Sequence, residues 1–210
     1  MANRDLKVIA AGGDGDGFAI GMGHTIHALR RNVDITYIVM DNQIYGLTKG
    51  QTSPRSETGF VTKSSPKGSI EAAISPMQLA ISVGATFVAQ TMSSDLLGMT
   101  DIIQKAIRHK GFSLVNVFSP CVTFNKINTY DWFKEKVKNL SEIEGYDPSD
   151  KIMAMRVLME NHDLVNGLIY HNTEAKDFQS LVYGFSEEPL TKSDLSMGPA
   201  KFERLCAEFM

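Results

Sequence analysis

A turn of alternating glycine and aspartate, Gly13-Asp14-Gly15-Asp16-Gly17, constrains this chain more than any other stretch. Glycines let the backbone turn sharply and approach a ligand closely. Ahead of the turn the apolar run Val8 to Ala11 reads as a short buried strand. Behind it Phe18, Met22, Ile26 and Leu29 recur at helical spacing and predict a helix over 17–31. A second apolar run, Ile35 to Met40, ends in Asp41-Asn42 and reads as the next strand. Strand, glycine turn, helix and strand make one βαβ unit.

Ligands of such sheets sit outside the carboxyl ends of the strands, where both polar clusters fall. The helix entered at Gly17 aims its amino-terminal amides at the same place, which suits phosphate. Neither a Gly-x-Gly-x-x-Gly fingerprint with a later ribose acid nor a Gly-Lys-Ser/Thr phosphate loop is present. A lone carboxylate beside a diphosphate would be repelled unless a hard cation lay between them. Mg²⁺ is held by one or two protein oxygens plus substrate phosphates. Asp14, the Asn42 amide oxygen and a backbone carbonyl just beyond it are the candidate donors.

These residues carry a resemblance. GDG, then roughly two dozen residues and an Asn, resembles the thiamine diphosphate motif. The fuller string GDGDGFAIGMGH…RRN…DNQIYGLTKGQTSP resembles the β subunits of the 2-oxoacid:ferredoxin oxidoreductases over residues 7–55, and the likeness continues through FSPCVTFN at 118–125. It implies an α/β thiamine diphosphate-binding fold. It also implies that Asp14 and Asn42 ligate Mg²⁺ by side chain and Ile44 by its carbonyl oxygen. Gly13, Gly15 and Asp16, with Tyr45, Gly46, Leu47 and Thr48, would then contact the cofactor. Lys49, inside YGLTKGQ, is the candidate for substrate carboxylate or coenzyme A. Cys121 corresponds to a ligand of a [4Fe–4S] cluster in that family. The implied reaction is oxidative decarboxylation of a 2-oxoacid, with coenzyme A taking the acyl group and ferredoxin the electrons. YGLTKGQ leans toward 2-oxoglutarate or broad 2-oxoacid use over pyruvate alone. An α subunit would carry the pyrimidine-binding domain and the glutamate that activates the cofactor, so no catalytic residue is assigned in this chain. The alternatives are a non-redox thiamine diphosphate lyase or synthase, which has no use for FSPC, and an inactive fragment.

Composition narrows the rest. Of 210 residues 43% are hydrophobic, enough for a globular core. A net charge of −3 leaves no nucleic-acid footprint. No apolar run approaches membrane-spanning length and MANRDLKV is not a signal peptide, which together suggest a cytoplasmic protein. Two cysteines, Cys121 and Cys206, argue against a disulfide scaffold and fall short of the four thiolates a cluster needs. The family's β subunits carry an upstream segment with Cys-x-x-Cys-Gly and a further cysteine. Its absence ahead of Lys7 suggests a truncation or a late start, and a cluster only if those cysteines are present.

The remaining chain alternates helices and strands. Arg30 and Arg31 read as a solvated helix end. His24 and His27 lack a third metal ligand; His24 matches a family histidine, and packing explains it as well. Residues 42–69 read as a long irregular loop made basic by Lys49, Arg55, Lys63 and Lys67, either solvated or attracting anions. Ser75-Pro76 caps a helix to about Ser82; Thr86–Gln90 is a strand, Leu96–His109 a helix, and Phe112–Phe118 a strand ending at Cys121. This alternation predicts a mostly parallel sheet with helices on both faces. A short amphipathic helix is expected over 129–140, a further one after Asp147-Pro148, and a last one near Pro199–Phe209. The expected division is a cofactor domain over 1–140. Residues 141–210, with breaks at GFSEEP and MGP, read as a helical and irregular tail that packs on the domain or a partner subunit.

Overall fold

The computed structural model describes residues 3, 5–182, 188–193 and 196–209. Four parallel strands form the centre of the protein: β1 (Ile9–Gly13), β2 (Ile35–Asp41), β5 (Phe87–Met92) and β6 (Phe112–Phe118). Two further strands, β7 (Lys138–Asn139) and β8 (Val165–His171), complete a six-stranded sheet of order β1-β2-β6-β5-β8-β7. β8 runs antiparallel to β5; the other pairings are parallel. Every residue of β6 is buried, as a central parallel strand requires.

Helices cover both faces. Val39, Val88 and Leu114 meet α1 (Met22–Arg30), α2 (Pro76–Ser82) and α5 (Lys151–Glu160) through Leu29, Met77, Ile81 and Leu158. On the other face Ala89, Val115 and Val117 meet α3 (Leu96–Arg108) through Ile102 and Ala106. Helices α2, α3 and α5 start where side chains accept orphan amides: Ser75 from Gln78, Asp95 from Gly98, and Asp150 from Ile152 and Met153. Such caps contribute about 1 kcal/mol each. Thr129 does the same for α4 (Tyr130–Lys136), whose Phe133 stacks on Phe118 with ring centroids 4.5 Å apart. The last helices are α6 (Phe178–Leu181) and α7 (Pro199–Ala207), neither with a buried residue. No helix among the described residues is long and apolar enough to cross a membrane.

Several expectations need correction. β1 is not buried: Val8 and Ile9 are half exposed, because among the described residues β1 is an edge strand paired with β2 alone. The helix expected over 17–31 is divided, with a π-helical turn at Asp16–Ile20 before α1. Thr25 Oγ1 donates to Gly17 O across the junction at 3.1 Å, and a Cβ on Gly21 would come within 2.5 Å of Asp16 O. The loop over 42–69 contains a small antiparallel pair, β3 (Ile44–Tyr45) and β4 (Gln51–Thr52). Within 141–210, VNGLIYH is a strand of the main sheet. Gly167 at φ +131° interrupts its apolar pattern, and its register on β5 shifts between Val88 and Ala89. The MGP break precedes α7 as expected, whereas most of GFSEEP, residues 184–187, lies outside the described residues.

Candidate functional site

Because the four central strands are parallel, the turns after Gly13, Asp41 and Phe118 emerge at one edge of the sheet. Asp14 follows β1 and is 1% exposed. Its Oδ2 accepts from Ser53 Oγ at 2.6 Å, and its Oδ1 from the Asn42 amide at 3.4 Å. Asn42 Oδ1 in turn accepts from the Ile44 amide at 3.0 Å, an Asx turn that sets the direction of the chain after β2. Ser56 Oγ donates to Gln43 O at 2.6 Å and accepts from Ser53 N at 2.9 Å, which straps the 53–56 loop across both turns.

Behind Asp14 lies a second carboxylate. Asp41 Oδ2 accepts from Arg55 Nε and from Asn116 Nδ2, each at 3.0 Å. Arg55 also donates to Ile74 O at 2.6 Å. Gln90 joins through Asn116 and donates to the carbonyls of Asp163 and Val165. The sequence suggests Arg55 as one of four loop cations facing anions; instead it is buried, and Asp41 holds its guanidinium charged against the penalty of burial. Burial first, and then Asp41, push the Asp14 carboxyl up to about 6, against the lowering effect of Ser53, Asn42 and Arg55. Asp41 Oδ1, Asn116 Oδ1 and Gln43 Oε1 have no hydrogen-bond partner among the described residues, so this edge of the sheet holds unused acceptor capacity.

The segment after Ile44 forms a hairpin, with Gly50 N donating to Tyr45 O at 2.8 Å and Lys49 N to Gly46 O at 3.1 Å. Tyr45 reaches back so that its hydroxyl donates to Gly15 O at 3.1 Å. A Cβ on Gly15 would come within 2.2 Å of that ring, whereas one on Gly13 or Gly46 would meet nothing within 4 Å. Leu47, Thr48 and Lys49 stand exposed at the hairpin tip. Lys49 adopts φ +72°. The loop after β6 docks beside it: Asn125 donates to Asn42 O at 3.3 Å, and Phe124 packs against Gly50. Cys121 begins that loop. Burial raises its thiol, but the amides of Phe124, Thr123 and Asn125 and the charge of Lys126 outweigh burial and bring it below the ordinary range.

The structure thus brings together Asp14, Asn42, Ile44, Tyr45 and the Cys121 loop. Asp16 is exposed, and with His24 and Tyr37 it lines a cavity of about 330 Å³ whose lining does not include Asp14. His24 and His27 are exposed, and no group of three or more His, Cys, Asp or Glu poised for a metal exists among the described residues. Sequence reasoning misses Ser53, Asp41 and Asn125. The signals for them are that Asp41 precedes Asn42, that Ser53 closes GQTS and that Asn125 closes FSPCVTFN.

The donors at this edge are hard oxygens, which fits Mg²⁺ rather than a thiophilic metal. Three buried carboxylates, Asp41, Asp163 and Asp14, act on the Arg55 guanidinium, and burial followed by Asp41 raises the Asp14 carboxyl, so the site would gain from a further cation. The backbone open over Gly13 and Gly46 fits close approach by a diphosphate. A [4Fe–4S] cluster is different: it needs four thiolates, and this sequence supplies two cysteines.

Residues 1–117 match the family described as thiamine pyrophosphate enzyme, C-terminal TPP binding domain, and residues 121–187 match the C-terminal family of the pyruvate ferredoxin oxidoreductase beta subunit. The 2-oxoacid:ferredoxin oxidoreductase subunit beta of Saccharolobus solfataricus is 49% identical over 148 residues, 70% of this chain and 48% of that protein. The 2-oxoglutarate synthase subunit KorB of Methanothermobacter marburgensis is 30% identical over 199 residues, 93% of this chain and 68% of that protein. Among solved structures, the 2-oxoglutarate:ferredoxin oxidoreductase from Magnetococcus marinus, with 2-oxoglutarate, coenzyme A and succinyl-CoA bound, superimposes with a TM-score of 0.81 at 41% identity, over 86% of this chain and 62% of that one. The chain spans about half the length of several curated relatives it matches. With the α/β sheet, the Asp14–Asn42 edge and these likenesses together, the chain belongs to the β-subunit family of the 2-oxoacid:ferredoxin oxidoreductases and has their thiamine pyrophosphate-binding fold.

Proposed function

We propose that this chain is the cofactor-binding part of a β subunit that, with its α subunit, oxidatively decarboxylates a 2-oxoacid, passing the acyl group to coenzyme A and the electrons to ferredoxin. The observation that carries this reading is the buried Asp14 carboxyl, joined to Asn42 at the carboxyl edge of the sheet and short of a cation. Asp14 and the Asn42 amide oxygen, which keeps a lone pair beyond its bond to Ile44, would hold Mg²⁺ together with the Ile44 carbonyl. Thiamine diphosphate, when bound, supplies the nucleophilic carbon and the electron sink that decarboxylation of a 2-oxoacid requires.

Around that group the chain positions and excludes water. Gly13, Gly15 and Asp16 form the turn, and Tyr45, Gly46, Leu47 and Thr48 form the facing hairpin. Lys49 at the hairpin tip is the cation for the substrate carboxylate, and the relatives' names favour 2-oxoglutarate. Cys121 would be one thiolate of a [4Fe–4S] cluster only with further cysteines beyond the two in this sequence. Residues 1–140 supply the cofactor domain, and residues 141–210 pack on that domain or on a partner subunit. Coenzyme A and ferredoxin as co-substrates imply a cytoplasmic setting.

The test is calorimetric titration of Mg²⁺ and thiamine diphosphate into the assembled complex, followed by substrate-dependent reduction of methyl viologen. Binding that Asp14→Ala abolishes, with dye reduction faster on 2-oxoglutarate than on pyruvate, is the expected result. Decarboxylation without reduction of any one-electron acceptor would refute the redox assignment. Undiminished binding in Asp14→Ala would refute the site.

A further inference from the structure

At the opposite edge of the sheet, where β5 and β6 begin and β8 ends, a cavity of about 380 Å³ is lined by Lys105, Arg108, His109, Lys110, His171 and Thr173. Its floor is a chain of hydrogen bonds that runs in one direction. Phe112 N donates to Asn32 Oδ1 at 2.8 Å, and Asn32 Nδ2 donates to Lys176 O at 3.0 Å, which fixes the amide orientation. Thr86 Oγ1 lies 2.7 Å from the same Asn32 oxygen and must give it the only hydroxyl proton. Thr86 Oγ1 is therefore an acceptor toward His109 Nε2, 2.8 Å away, so His109 carries its proton on Nε2. His109 Nδ1 is left bare and accepts from His171 Nε2 at 3.2 Å.

The chain ends at His171 Nδ1, the one place that can take a proton without breaking a bond. Protonating His109 instead would set two N–H groups against each other. His109 is held neutral, its pKa lowered to about 4 by burial and then by His171, and burial lowers His171 as well. The charged groups around the pair are predominantly basic. Asp34 is shared by Lys7 and Lys110 at 3.6 Å each, Lys105 pairs with Asp101 at 2.7 Å, and Glu174 accepts from Thr173. Arg108 donates to Gln104 Oε1 at 3.2 Å and has no carboxylate partner among the described residues. Cations in the last turn of α3 complement its dipole, but that role alone gives no concave, saturable site.

We propose that this cavity binds a phosphate group, free or carried on a small nucleotide, with Arg108 and Lys110 on its oxygens and His171 holding one proton at Nδ1, taken from solvent when the ligand enters as a dianion and from the ligand when it enters as a monoanion. The guanidinium fork matches phosphate geometry, and a dianion is the ligand that an arginine without a carboxylate partner among the described residues, a half-satisfied lysine and a protonatable imidazole together neutralise. The site shares no residue with the cofactor edge and stands independently of the proposed reaction.

Inorganic phosphate and AMP titrated calorimetrically into the assembled protein, at about pH 6 and about pH 8, test it. The expected result is saturable binding, about threefold or more tighter at the lower pH, with uptake of about one proton at about pH 8, where the free ligand is a dianion, and less at about pH 6, where the monoanion brings its own proton, read from the dependence on buffer ionisation enthalpy. Arg108→Ala, on an exposed helix end and safe for folding, should weaken it about tenfold or more. His171→Gln keeps a donor for His109 and should retain binding at about pH 8 but lose the gain at about pH 6 and the proton uptake. Asp14→Ala should leave it unchanged. AMP binding tighter than phosphate assigns a carried phosphate, and equal affinities assign the free ion. No saturable heat from either ligand at about pH 6, or equal binding by Arg108→Ala, overturns the proposal.

Discussion

Replacing Asp14 with Asn should make the protein stripped of metal and cofactor more stable at neutral pH while destroying the proposed metal site. Asp14 is buried, and its carboxyl is raised from 3.8 to about 6 by burial and then by Asp41. A carboxyl with a raised folded pKa contributes stability that is complete below the unfolded value and is lost as pH rises through the folded one. At about 1.4 kcal/mol per unit, the ionised Asp14 costs about 3 kcal/mol at neutral pH. Asparagine removes that cost but offers one acceptor oxygen where the carboxylate offered two, to Ser53 and Asn42. The bond most easily given up is the 3.4 Å one from the Asn42 amide, worth about 1 kcal/mol. The net expectation is a gain of about 2 kcal/mol near pH 7.5 that shrinks and reverses toward pH 4. Urea unfolding of both proteins across that range, with chelator present, measures it. A difference between them that does not change with pH would refute the reasoning, as would a variant less stable near pH 7.5.

Three further outcomes are expected. Mg²⁺-dependent thiamine diphosphate affinity should fall as pH drops below about 6, since the proton then competes for Asp14; equilibrium titration at several pH values reads it. Gly111→Ala should destabilise the protein by about 2 kcal/mol or more in thermal unfolding, because Gly111 adopts φ +121° and a Cβ there would lie 2.3 Å from Asn32 Oδ1. Phe133→Ala should lower stability by about 3–5 kcal/mol in urea unfolding by emptying the space beneath Phe118.

The elements that sequence pattern exposes are those whose reason for existing is local. Ser75-Pro76 caps α2 with its own side chain, and FSLVNVF is apolar because β6 is buried on both faces. Asp14 and Asn42 stand out because a lone acid between glycines at a strand end has few structural uses. What escapes is decided by distant neighbours. Arg55 looks like its loop companions until Asp41, 14 residues earlier, is seen to hold it at 3.0 Å. β8 is defined by pairing with β5, more than seventy residues earlier in the chain, and Gly167 breaks the alternation that would have revealed it. His109 and His171 carry no local signal, since their meaning arises from Thr86 and Asn32, brought alongside by the sheet. Val8 and Ile9 mislead for the opposite reason: apolar composition says what a strand prefers, and only the sheet order says that β1 has a bare side.

The antiparallel return of β8 has a consequence for how the protein is assembled in time. The turns bearing Asp14, Asn42 and Cys121 leave the ribosome before β8 does, yet Gln90 beneath them is satisfied by carbonyls at residues 163 and 165. Until that late strand is laid down, Gln90 and the Asn116–Asp41–Arg55 relay attached to it lack their buried anchor. A nascent chain halted near residue 150 would thus carry every residue of the candidate site but hold the site loosely. Amide exchange in the turn after β2 should then be governed by release of β8, a strand that contributes no group to the chemistry.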